Sequence, residues 1–463
     1  MRCNACKFLS NVLKHMLYLV LKLILRIGLW VFFRRFEVRN RHLMPKRGPL
    51  LVVANHPNTF MDPIVIASLL QQQVYFIAKS TVFNSPLKKW LLHRMNLIPI
   101  HRREDMPKGP FNNEETFQAS YQALAAQKTL LIFPEGNSFN ERRLRKLKTG
   151  TARMALGAIE NSADASKLLI LPVGLNYSDP TRFRSEVFVN VGKPIAAASY
   201  LERYHQDGVG TVTELTAHIR QQLEKLIVVT PSNDEDVLVR QIEQLYKERL
   251  AAQTPIEAPR HIRDFLLTRA IIKSLAHFIN TQPQRVEKMR EKINHYNRQL
   301  QALDLQHLPT MEEKHVLLRQ SIAKTLLLAI TIPLYLYGLV NNYLAYIIPS
   351  KVADALTEAA EFRAPIMLSV GTFSFPLLYA AQATLLWQFL PDKVYLLLYL
   401  ISLPISGFFT LRYWNALKHV RGQWLLLRLF LTKNPMAERL KRKRQEILDE
   451  LDQARVEYLQ QLG

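Results

Sequence analysis

Residues 49–62 read Pro49-Leu50-Leu51-Val52-Val53-Ala54-Asn55-His56-Pro57-Asn58-Thr59-Phe60-Met61-Asp62. The first six make a short apolar, β-branched run of strand length. Pro57, Asn58 and Pro63 then favour a turn. Behind it, Pro63–Gln72 predicts a helix, with Asp62 as N-cap and Pro63 in the first turn, where a missing N–H costs nothing.

The same grammar repeats downstream. Apolar runs at Val74–Ile77, Leu97–Ile100, Thr129–Phe133, Leu168–Val173 and Glu186–Val191 alternate with helical patterns. The expectation is an α/β fold, a largely parallel sheet with flanking helices. The chain's 463 residues exceed what one core holds. Charged helix-forming sequence follows, as in Val239–Leu250 and Arg285–Leu303, then three apolar segments, Thr325–Ile348, Pro365–Leu390 and Val394–Leu411, and a last charged helix, Met436–Leu462. Each apolar segment approaches the roughly 20 residues that cross a hydrocarbon core, so C-terminal transmembrane helices are expected. The one holding Pro333, Asn341 and Asn342 suits a tilted or re-entrant path. Arg319 and Lys324 precede the first segment and Arg412, Lys418 and Arg421 follow the last. Basic flanks prefer the cytoplasm, which an even number of crossings satisfies.

At the N-terminus, Phe8–Phe33 is apolar but interrupted by Lys14, Lys22 and Arg26, with no small-residue cleavage site after it. At about 100° per residue, Lys7, Asn11, Lys14, His15, Lys22 and Arg26 share roughly a third of the circumference. This predicts an N-terminal amphipathic membrane helix with its basic face towards lipid phosphates. The organisation expected is therefore 1–40 membrane-interface helix, 41–230 catalytic domain, 231–320 helical region, 321–415 two or three membrane segments and 416–463 charged helix.

Lys and Arg total 61 against 38 Asp and Glu, a formal charge of +23. Such a balance calls for a polyanionic partner. The long apolar segments favour a membrane over nucleic acid, and the basic residues lack the aromatic-interleaved strands of an RNA-binding module. Cys3 and Cys6, the two cysteines, exclude a disulfide framework and lack the second pair of a four-ligand zinc site.

The chemistry gathers at strand ends. An imidazole, His56, suits the removal of a proton from a hydroxyl, and a carboxylate on its other ring nitrogen fixes the tautomer. Six residues apart on a continuous helix lie about 240° round from each other, so His56 and Asp62 meet only across a turn. Lys79 ends one strand and Arg102 follows the next, in His101-Arg102-Arg103. Cations at such ends converge on the crevice where parallel sheets bind ligands, and a phosphate fits there. Leu130-Leu131-Ile132-Phe133-Pro134-Glu135-Gly136 ends in an acidic tight turn, with a basic run from Arg142 to Lys148 beyond it.

The stretch from about 50 to 195 resembles the glycerolipid acyltransferases that include 1-acylglycerol-3-phosphate acyltransferases. Asn55-His56 with Asp62 is similar to the family's first block, Ile98-Pro99-Ile100 with Arg102 to its second, Phe133-Pro134-Glu135-Gly136 to its third and Leu171-Pro172-Val173 to its fourth. Ala78-Lys79-Ser80 is similar to the lysine segment between the first two. The resemblance implies His56 and Asp62 as the catalytic pair. It implies Lys79, Arg102, Glu135, Gly136 and Asn55 at the substrates. It implies an acyl-CoA or acyl-carrier-protein co-substrate, and no metal or organic cofactor. The expected reaction acylates 1-acylglycerol 3-phosphate to phosphatidate. Its alternatives are acylation of glycerol 3-phosphate, or an inert lipid-surface scaffold. An integral membrane protein is expected, its catalytic domain facing the cytoplasm of a bacterial inner membrane or an endomembrane.

Two departures stand out. Five residues, not the family's usual four, separate His56 from Asp62, and Asn137-Ser138 stand where the family usually has a residue and an arginine. The longer spacing resembles some glycerol-3-phosphate acyltransferases, and the missing arginine's phosphate contact is expected either to move to Arg142 or Arg143 or to be lost.

Overall fold

A computed structural model describes residues 4–102, 112–254, 256–302, 314–431 and 435–462. The chain divides into two units, Met1–Pro231 with Pro349–Thr372, and Ser232–Ile348 with Phe373–Gly463.

In the first unit the order is α1 (Asn4–Phe32), β1 (Arg35–Arg39), β2 (Leu50–Ala54), α2 (Met61–Leu69), β3 (Val74–Lys79), α3 (Pro86–Arg94), β4 (Leu97–Ile100), α4 (Glu114–Ala125), β5 (Thr129–Ile132), α5 (Gly150–Asn161), β6 (Leu169–Tyr177), β7 (Glu186–Val191), β8 (Ile195–Ala196), α6 (Leu201–Gln206) and α7 (Gly208–Leu226). The strands form one sheet in the order β1-β7-β6-β2-β5-β3-β4, with β8 on β6. Pairing is parallel except for β6 with β7 and with β8. The C-terminal ends of β2, β5, β3 and β4 therefore lie along one edge.

β2 is buried throughout, and its alternation divides two cores. Leu51 and Val53 face a cluster with Leu124 of α4, Leu156 of α5 and Leu223 of α7. Leu50, Val52 and Ala54 face Leu29 and Phe32 of α1, Ile66 of α2, and Ala353, Ala364, Met367 and Leu368 from far along the chain.

Three local expectations change. The helix after the turn starts at Met61 with Phe60 as N-cap, so Asp62 sits inside its first turn. Asp62 accepts from the backbone N–H of Asn58 within the preceding turn, at 2.7 Å, which withdraws it from capping. Strand β6 runs on past Val173 to Tyr177. Finally, the basic face of α1 does not point at lipid where it is described. Arg26 donates to the Ser68 carbonyl through Nε and Nη2 at 2.8 and 2.6 Å, and Lys22 donates to the Leu70 carbonyl. These cations cap the C-terminal end of α2, where the helix dipole is negative. Met16, Leu19, Val20, Leu23, Ile27 and Trp30 are exposed instead. The side chains of Lys7, Asn11, Lys14 and His15 lie outside the described residues.

The second unit holds α8 (Asn233–Gln253), α9 (Arg260–Thr281), α10 (Pro283–Ala302), α11 (Lys314–Ile330) and most of α12 (Ile332–Leu356), α13 (Ala360–Phe389), α14 (Lys393–Leu431) and α15 (Pro435–Leu462). α8, α9, α10 and α15 enclose a core that includes Leu238, Leu267, Ile293, Tyr296 and Ile447. Among the described residues two helices are long and apolar enough to cross a membrane, Ala360–Phe389 and Lys393–Leu425, and a third span results if the pair Leu318–Ile330 and Ile332–Leu356, bent by 57°, counts as one. The bend falls beside Pro333, whose missing N–H interrupts the helical ladder.

Candidate active site

Strand β2 ends at Ala54, and residues 55–60 turn the chain into α2. Asn55 fixes the start of this turn. Its side-chain amide donates to the Leu175 carbonyl at 2.9 Å, and its oxygen accepts the Leu175 N–H at 2.8 Å. Asn58 donates to the Pro180 carbonyl at 2.9 Å, and Met61 N–H to the Asn58 carbonyl at 2.8 Å. Thr59 takes a positive φ of 29°.

The turn brings the two expected partners together. His56 Nδ1 stands 2.8 Å from Asp62 Oδ2. Asp62 is 0% exposed. Its Oδ1 accepts from the Tyr177 hydroxyl at 2.7 Å. With the Asn58 N–H, three donors hold one carboxylate, so Nδ1 carries the proton and Nε2 is left as the basic nitrogen. The His56 ring stacks on Phe133, centroids 3.9 Å apart and planes at 11°, which sets its second rotational degree of freedom. Tyr177 is fully buried, and burial together with the Asp62 carboxylate pushes its phenol well above the ordinary value, so it remains a donor.

Glu135, at the end of β5, braces rather than reaches outward. One oxygen accepts the His56 N–H and the other the Arg145 N–H, both at 3.0 Å. Burial raises its carboxyl above the ordinary value, and those two N–H groups pull part of the way back. Gly136 has φ 80°, and a Cβ there would stand 2.8 Å from Lys148 Cε. The Lys148 side chain thus lies across the tight turn, whose positive φ favours glycine.

Arg102 donates to the Asn137 side-chain oxygen, beside the same turn. Lys79 ends β3, its Cα paired with Ile100 of β4. In the sheet β5 separates β3 from β2, so Lys79 stands two strands from the turn that carries His56. Arg143 is paired with Glu141 at 3.0 Å and Arg103 lies outside the described residues. The cation placed on the Pro-Glu-Gly turn is Lys148, which sequence reading left undistinguished within its basic run. Tyr177 and Ser138 were also missed. Ser138 accepts the Thr59 N–H at 2.8 Å.

A buried carboxylate and an oriented imidazole thus stand together past the C-terminal end of β2, an arrangement chemically able to take a proton from a hydroxyl. Residues 35–176 match the family model described as Acyltransferase. Among curated relatives the chain is 22% identical to glycerol-3-phosphate O-acyltransferase 1 of Saccharomyces cerevisiae, over 82% of this chain and 63% of the relative. It is 29% identical to glycerol-3-phosphate O-acyltransferase 2 of the same yeast, over 44% of this chain and 26% of the relative. To the 1-acyl-sn-glycerol-3-phosphate acyltransferase of Borreliella burgdorferi it is 22% identical, over 45% of this chain and 78% of the relative. The matches thus span less than two thirds of the two yeast proteins.

Proposed function

We propose that the chain transfers a fatty acyl group from a thioester, acyl-CoA or acyl-carrier protein, to a hydroxyl of glycerol 3-phosphate at a membrane surface. The observation that carries this is the 2.8 Å contact of His56 Nδ1 with a buried, triply hydrogen-bonded Asp62.

His56 Nε2 takes the proton as the acceptor oxygen attacks the thioester carbonyl. Asp62 stabilises the imidazolium that forms. Collapse of the tetrahedral intermediate breaks the C–S bond, and the thiolate leaves with the proton returned from His56. No acyl-enzyme is formed. Arg102, Lys148 and Lys79 receive the acceptor phosphate, and Glu135 and Gly136 shape the turn beneath it.

The five-residue turn and the yeast relatives named for glycerol 3-phosphate favour that acceptor. The Borreliella relative supports 1-acylglycerol 3-phosphate as the second reading. Both are tested together by offering radiolabelled oleoyl-CoA with either acceptor to the purified chain in detergent micelles. His56→Ala is expected to lose about 10²- to 10⁴-fold in turnover. Undiminished turnover in that variant rules out the base. Arg102→Ala and Lys148→Ala are expected to raise the acceptor KM with kcat little changed, the mark of lost uniform binding; an effect confined to donor KM removes them from the phosphate pocket.

A further inference from the structure

The two departures from the family pattern meet in space. Within the five-residue turn Thr59 adopts φ 29°, a left-handed value that β-branched residues rarely take. Its N–H donates to Ser138 Oγ at 2.8 Å, and Ser138 stands at the place where the family usually carries arginine. A long guanidinium there offers no acceptor to an N–H, so the short hydroxyl and the longer turn go together. Neighbouring Phe139 N–H donates to the His56 carbonyl at 3.1 Å, so one segment holds the turn at two points.

The opposite side is held from 302 positions away along the chain. Thr59 Oγ1 donates to the Glu361 carbonyl at 2.8 Å. Glu361 belongs to Pro349–Thr372, which is part of the first unit. That segment is anchored by buried Ala364, Met367 and Leu368 and by Arg363, whose Nη1 donates to the Thr181 carbonyl at 3.3 Å. Thr181 follows Pro180, whose carbonyl takes the Asn58 side chain. Phe60 and Phe362 pack edge to face, centroids 6.1 Å apart. An uncommon backbone conformation persists where its surroundings over-determine it, and here both faces of the turn are gripped.

We infer that Thr59 is a positioning residue for the proposed reaction: Ser138 and the Glu361 carbonyl clamp it so that the five-residue turn delivers His56 onto Asp62. The inference rests on His56 as the base. It makes the 349–372 segment a working part of the catalytic domain, although it lies outside the 35–176 family match.

The test compares full-length Thr59→Val, Thr59→Ser, Ser138→Ala and His56→Ala in detergent micelles. It reads kcat and KM with the acceptor that the wild type turns over faster, thermal unfolding, and the rate of His56 carbethoxylation mapped by mass spectrometry. Valine keeps the shape and branching of Thr59 and removes only the hydroxyl bond, which serine restores. Thr59→Val and Ser138→Ala are expected to lose about ten- to a hundredfold in kcat with acceptor KM retained, and to label faster at His56 as the ring leaves Asp62. Thr59→Ser is expected to match the wild type in both readouts. Wild-type kcat and labelling in Thr59→Val, beside an inactive His56→Ala, overturn the clamp and leave the base standing. A fall that serine does not restore overturns it as well. Activity surviving in His56→Ala removes the base itself, whatever Thr59 does. Should Thr59→Val fail to fold, Ser138→Ala decides from the other side, and wild-type labelling there overturns the clamp without reference to turnover.

Discussion

Asp62 spends both oxygens inside the protein, on His56 and the Asn58 N–H with one and on Tyr177 with the other. Removing the phenol leaves Oδ1 buried without a donor, which costs about 1–3 kcal/mol. Tyr177→Phe is therefore expected to lower stability by that amount in chemical unfolding, and to slow turnover as Asp62 loosens. Because burial and Asp62 hold the phenol proton well above the working range, the alkaline limb of the pH–rate profile is expected to keep its midpoint in Tyr177→Phe. A shift of that limb would show that Tyr177 itself titrates. The meeting of His56 with Asp62 was an expectation that needed, besides residue type, a turn between them and the family resemblance. Tyr177 was not foreseen, since it lies 115 positions from Asp62 and beyond the expected end of its strand at Val173. Glycine at 174 disguised the continuation: a Cβ there would meet the Leu226 carbonyl at 2.5 Å, so a close approach looks in sequence like a strand end.

At the scale of elements, the turn after β5 couples proton binding to folding. Glu135 is raised above 4.5 in the folded chain, chiefly by burial. The folded form then keeps a proton that the unfolded form has released, so this residue's contribution falls as pH climbs from 4.5 through the folded value, and its cost is absent below 4.5. Glu135→Gln abolishes the titration but gives one of two backbone N–H groups an amide nitrogen to face. It is expected to be less stable at neutral pH by about 1–3 kcal/mol, with a flatter decline from pH 4.5 upward; an unaltered slope in urea unfolding would assign the titration elsewhere. Strand runs such as Leu50–Ala54 were plain in sequence because burial on both faces leaves them wholly apolar. Helix α1 was legible as a helix, yet periodicity reports which residues share a face and not what that face meets. Arg26 and Lys22 meet the carbonyls ending α2. Arg26→Ala is expected to cost about 1–2 kcal/mol, most of it the loss of charge-assisted bonds to a helix C-terminus; no change in unfolding midpoint would mean that the cap is idle.

For the whole molecule, the informative boundary is the one that composition hides. The catalytic unit is closed by Pro349–Thr372, which holds the start of α13 against α1: a Cβ on Gly28 would stand 3.1 Å from Leu368 Cδ1. Sequence reading placed these residues among membrane segments, and Ala360–Phe389 is indeed long and apolar enough to cross a membrane; hydropathy does not report that the start of that helix also packs against α1. A fragment of residues 1–231 bares the surface that Ala353, Ala364, Met367 and Leu368 cover. It is expected to aggregate or to show no acyl transfer, and a monomeric, active fragment would contradict the discontinuous unit. The same closure sets an order on biogenesis. Translation at about 5–20 residues per second leaves on the order of ten seconds between emergence of the sheet and arrival of its last covering helix. During that interval the nascent enzyme is obliged to wait, half-wrapped, for a piece of itself that the ribosome has yet to make.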